Sequence, residues 1–167
     1  MRMTLESYNN MNSLAAMCFE ANAIFDNLAY NLEFNYYKKI AKIVHLNVAH
    51  VMPKWADKVS DEMLLLSARP TRLELKAHTK KYENLSDVFN IILQTLMNMR
   101  DFCRKMIEDA DLQGDDEVRI FGENFLEDNL SPFIKQAEEW INAIGVMDAN
   151  NLNIHINEYT NFIDIDK

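Results

Sequence analysis

The chain has 167 residues, 49% of them hydrophobic, and only 3 glycines and 3 prolines. A chain of that length folds as one domain burying roughly 70% of its unfolded surface, and so few turn formers exclude the strand-and-turn architectures that depend on them. A formal net charge of −9, with no basic tail at either end, opposes direct nucleic-acid binding.

Apolar residues at steps of three and four predict four long helices. The first runs from about Thr4, a suitable N-cap, to Tyr30, with Leu5, Tyr8, Met11, Leu14, Met17, Cys18, Ala21, Ile24, Phe25 and Leu28 on its apolar face. The second runs from about Asn35 to Leu66, and Pro53 inside it predicts a kink near Val51–Met52. Residues 67–83 break the pattern, with one short helix expected around Leu73–Lys80. The third helix is expected over Leu85–Leu112, closed by Gly114 as C-cap, with Asp115 or Asp116 as the next N-cap. The fourth runs from about Glu117 to Ile144, where Ser131-Pro132 predicts either a second kink or a break recapped by Ser131. Residues 1–145 thus read as the bundle and 146–167 as an Asn-rich acidic tail with one loose helix around Leu152–Phe162.

Short connections between helices one and two and between three and four make those pairs antiparallel. The long second connection has the length needed to run back along the bundle, the arrangement of ferritin-like folds. Cys18 and Cys103 sit inside apolar stretches and read as buried free thiols of a reducing compartment. No signal core opens the chain and no apolar run reaches the ~20 residues of a membrane span, so a cytoplasmic protein without membrane contact is expected.

Three stretches carry a family resemblance. Asp57-Lys58-Val59-Ser60-Asp61-Glu62-Met63 followed by Ser67-Ala68-Arg69-Pro70, then Tyr82-Glu83-Asn84-Leu85-Ser86-Asp87-Val88-Phe89, then Gln113-Gly114-Asp115-Asp116 with Ala137-Glu138-Glu139-Trp140-Ile141, occur in the order and spacing of the Dps-type ferritins. Over about residues 54–144 the chain resembles that family. The resemblance implies an all-α ferritin-like four-helix bundle, iron as the bound metal, Fe²⁺ oxidation and sequestration with protection against oxidative stress, and a homo-oligomer, a dodecameric shell. It places the late second-helix carboxylates on Asp57 and Asp61. The first-helix histidine falls near Tyr30, and the early second-helix pair falls near Lys42 and Leu46, where neither lysine nor leucine ligates iron. Glu20 corresponds to the core glutamate of the wider ferritin group, yet no Glu-x-x-His occurs on the second or fourth helix, so a full di-iron site within one subunit is not expected.

At 100° per residue, His50, Lys54, Asp57 and Asp61 share one stripe of a helix. An imidazole and two carboxylates suit iron, so the candidate metal residues are Asp57, Asp61 and His50. The same spacing lets Lys54 pair with Asp57 and Asp61 as an ordinary solvated face. His45 lies off the stripe and reads as a packing or surface histidine, and His78 and His155 lack a second ligand at metal spacing. Two further functions remain open: a ferritin-like oligomer without ferroxidase ligands, serving a structural or binding role, and an unrelated helical interaction module.

Overall fold

The computed structural model describes residues 1–146, so the remainder of the acidic tail and its expected helix lie outside the described residues. Thr4 caps α1 (Leu5–Phe34), its side chain accepting from the Ser7 amide. The second rod is made of α2 (Lys38–Ile43), a π-helical segment (Val44–Ala49) and α3 (Val51–Leu65). The third rod is α4 (Leu85–Gln113); the fourth comprises α5 (Asp116–Phe125), a second π-helical segment (Leu126–Leu130) and α6 (Ser131–Val146). The described residues are therefore all-α, in four rods close to the expected spans.

The helix ends explain how so few glycines suffice. Three helices close with the same pair of bonds, in which the first residue past the cap adopts positive φ and the next amide reaches back over the last turn. Tyr37 donates to the Leu32 carbonyl (2.9 Å), Ala68 to Met63 (2.8 Å) and Asp115 to Ala110 (2.9 Å). Gly114 (φ 71°) fills the left-handed position once; Tyr36 (φ 68°) and Ser67 (φ 56°) fill it at the other two ends. A side chain there costs roughly 1–2 kcal/mol.

Contacts at the rod ends give the direction of each. The Arg2 amide donates to the Leu66 carbonyl (2.8 Å), which joins the end of α3 to the start of α1. Asn10 donates to Asp109 (3.0 Å), so α4 also runs against α1. Asp115, at the N-cap position of α5, leaves its own helix uncapped. Its carboxylate instead accepts from the Thr4 amide (2.9 Å), the Thr4 hydroxyl (2.7 Å) and the Ser7 hydroxyl at the positive end of α1. Burial raises this carboxyl, but the bonds from Ser7 and Thr4 together outweigh it and hold the group below its ordinary value.

Residues 68–84 form no helix, contrary to the expected turn around Leu73–Lys80. They run extended along α1, in the same direction. The Tyr8 hydroxyl donates to the Arg69 carbonyl (2.9 Å), Asn12 accepts from the Thr71 amide (2.8 Å) and Asn27 donates to the Lys80 carbonyl (2.9 Å). Asn31 accepts from the Tyr82 amide (2.8 Å) and Asn35 donates to the Tyr82 carbonyl (2.8 Å). Between residues 8 and 35, α1 advances about 40 Å at 1.5 Å per residue. Residues 69–82 keep pace only at about 3.1 Å per residue, near full extension. A helix inside the segment would leave it too short.

Inside the bundle the Phe89 and Trp140 rings stack at 4.8 Å and 4°, and Trp55 makes edge-to-face contacts with Phe125 and Phe133. Cys18 and Cys103 are free and buried. The Cys103 thiol donates to the Gly122 carbonyl (3.3 Å); a Cβ at Gly122 would lie 2.7 Å from Ile107 Cγ1, so close approach of α4 and α5 requires glycine there. No helix among the described residues is long and apolar enough to cross a membrane.

Candidate metal centre

Each proline expected to kink a rod is preceded by a π-helical turn, and the first of these turns builds the site. Pro53 has no N–H for the Ala49 carbonyl, and its ring crowds that carbonyl. The helix widens over Val44–Ala49, one turn before the expected kink, and closes with a bond from the His50 amide to the His45 carbonyl (3.1 Å). Ala49 is fully buried. Asn22 of α1 donates to its carbonyl at 2.8 Å, taking the place of the missing proline donor. The Leu126–Leu130 segment repeats the device ahead of Pro132, with the Ser131 amide bonded to the Leu126 carbonyl.

In a regular α-helix, residues five apart point about 140° away from each other. The i→i+5 bond of a π turn sets residue i+5 above residue i. His45 and His50 are thereby stacked on one face, their ring centroids 4.2 Å apart at 58°. Asp26, from the C-terminal half of α1, places Oδ1 3.1 Å from His45 Nδ1. One ligand atom from each of Asp26, His45 and His50 lies within 4.8 Å of the other two. Asp26 and His45 are half-buried and His50 is exposed, so the cluster sits on the outer face between α1 and the π-helical turn of the second rod and keeps an open side. Tyr30, one turn beyond Asp26, brings its ring to 6.3 Å from that of His45.

Two cis ligands of a metal with bonds of about 2.1 Å stand about 3.0 Å apart, close to the Asp26–His45 separation. Two imidazoles and one carboxylate with open positions form the donor set of non-haem Fe²⁺, and they also serve Zn²⁺ and Co²⁺. Asp26 and His45, hydrogen-bonded to each other at that distance, and His50 are the residues that would hold a divalent first-row ion.

Of the three expected metal residues, His50 belongs to this cluster. Asp57 and Asp61 remain on the exposed face of α3. At 1.5 Å per residue they lie about 10 and 16 Å along the axis from His50, a stripe rather than a set converging on one ion. No salt bridge joins Lys54 to either of them among the described residues. Glu20 faces the crossover, where its Oε1 lies 3.2 Å from His78 Nε2, so it is no core carboxylate and His78 is not isolated. Periodicity at 3.6 residues separates His45 from His50 and so conceals the cluster. The visible signal was a histidine pair five apart followed three residues later by proline.

No family model matches this chain, and no curated protein sequence matches it.

Proposed function

We propose that this chain is a metal-handling bundle of the ferritin-like kind and that Asp26, His45 and His50 bind Fe²⁺ for oxidation and sequestration. The observation that carries the reading is the two-imidazole, one-carboxylate cluster created by the Val44–Ala49 π turn. The extended crossover along α1 supports it, because two antiparallel pairs joined by one long connection are the ferritin-like arrangement.

The positions that the Dps resemblance implies are related to this cluster by one helical turn. Asp26 precedes Tyr30 by four residues, His45 follows Lys42 by three and His50 follows Leu46 by four. Because α1 and the second rod are antiparallel, all three shifts point the same way along the bundle. The reading is of a ligand set that has slid by one turn, with Asp57 and Asp61 left exposed to face another copy in an oligomeric shell. A scaffold without ferroxidase activity is the second reading, favoured by Tyr30, Lys42 and Leu46 at the original positions.

Fe²⁺ added anaerobically and then exposed to air tests the choice. Ferric absorbance should rise faster than in protein-free buffer, and Asp26→Ala, His45→Ala and His50→Ala should each abolish the acceleration. Binding without acceleration, or no Fe²⁺ or Co²⁺ binding at all, refutes the ferroxidase reading and leaves the scaffold. Mass in solution separates a shell from a small assembly.

A further inference from the structure

Beside the cluster, between the end of α1 and the start of the second rod, lies a cavity of about 370 Å³, the small end of the range for ligand pockets. Ala29 and Ala41, both 3% exposed, form its floor, and Tyr30 lines its side. His45 lines it too, and so belongs to both the cavity and the metal cluster. Lys38 and Lys42 stand at its rim, one turn apart on the same helical face.

Two like charges at that spacing repel, and neither lysine forms a salt bridge among the described residues. An anion between them removes the repulsion. The floor is apolar, so burying a hydrocarbon body there is favourable while burying a second charge is not. Glu33, also at the lining, repels a second negative charge. The occupant described by these features is a monoanion with an apolar body.

We propose that this cavity binds a small monocarboxylate carrying an aromatic or aliphatic body. Its carboxylate is held by Lys38 and Lys42, and it is placed to take an open coordination position of the metal at Asp26, His45 and His50. The second half rests on the metal reading above; the first half does not.

Benzoate is the probe, with inorganic phosphate as the comparison. In metal-free protein, benzoate should move the backbone amide resonances of residues 29–45 and bind at least tenfold more tightly than phosphate. The variant Lys38→Met/Lys42→Met keeps the apolar stems of both exposed side chains and should weaken benzoate at least tenfold with unchanged circular dichroism. In Co²⁺-loaded protein, benzoate should alter the visible d–d spectrum. Absence of benzoate binding, equal binding by phosphate, or full affinity in the double variant overturns the assignment of the cavity. Benzoate binding with an unmoved Co²⁺ spectrum overturns the shared coordination alone. If Co²⁺ does not bind the wild type, the metal reading and the shared coordination fall together, and the metal-free titration decides the cavity.

Discussion

Pro53→Ala tests whether the proline creates the candidate metal centre. The substitution supplies an N–H that reaches the Ala49 carbonyl in a regular helix, and it removes the ring that crowds that carbonyl. In the wild type the buried carbonyl depends on Asn22, bonded at 2.8 Å. Asn22→Ala should therefore cost about 2 kcal/mol, the usual penalty for leaving a buried acceptor unpaired. In the Pro53→Ala background the backbone supplies the donor, and the same change should cost under about 0.5 kcal/mol. Urea denaturation of the four proteins in this cycle gives the coupling directly. Once the α register propagates through residues 44–50, His50 turns about 140° away from His45. Co²⁺ affinity in Pro53→Ala should then fall at least ~10-fold, as when the support of a metal ligand is removed, without loss of stability. An undiminished cost of Asn22→Ala in the Pro53→Ala background, or wild-type Co²⁺ affinity in Pro53→Ala alone, would refute the link from proline to π turn to site.

Asp115→Asn should lower stability at neutral pH by about 1–2 kcal/mol, because charge-assisted bonds to Thr4 and Ser7 are weakened. The native carboxyl lies below its ordinary value of 3.8, so its contribution is complete above that value and is lost as pH falls through the depressed native value. Urea midpoints of wild type and variant should converge over that acidic window; a constant difference would contradict the assignment. Tyr36→Gly should raise stability by about 1 kcal/mol by relieving a left-handed residue (φ 68°), read as a higher melting temperature. Burial pushes the Cys103 thiol up to about 12, and Cys18 is raised further in the same direction by burial and by Cys103. Both should resist a thiol reagent in native buffer and react fully in denaturant; rapid native labelling would contradict their placement in the core.

The fold was legible where one physical period governs the chain. Met11, Leu14, Cys18, Phe25 and Leu28 recur at helical spacing and are all fully buried in α1, and Gly114 marked the end of α4. Three features obey other rules. The crossover is set by the distance it must span, which local propensity at Leu73–Lys80 does not encode. Asp115 has the sequence position of a cap for α5 but satisfies α1, a choice made by tertiary packing. The candidate cluster depends on a backbone register that changes at Val44–Ala49, upstream of Pro53, so a stripe drawn at regular helical spacing through His50, Asp57 and Asp61 does not reach His45. Asp26 was legible only as a polar residue beside the apolar face of α1, because its partners come from another helix.

The crossover gives the molecule an asymmetric tolerance to changes in length. At about 3.1 Å per residue against a limit of 3.3–3.6 Å, residues 69–82 hold a reserve of about 4 Å, little more than one residue. Loss of two residues would pull the strap off the asparagines of α1 or draw the two helix pairs out of register. Extra residues would only bow outward, at a loop cost that grows slowly with length. Because Asn12, Asn27, Asn31 and Asn35 grip main-chain atoms, they constrain the number of residues in the strap more tightly than their identity.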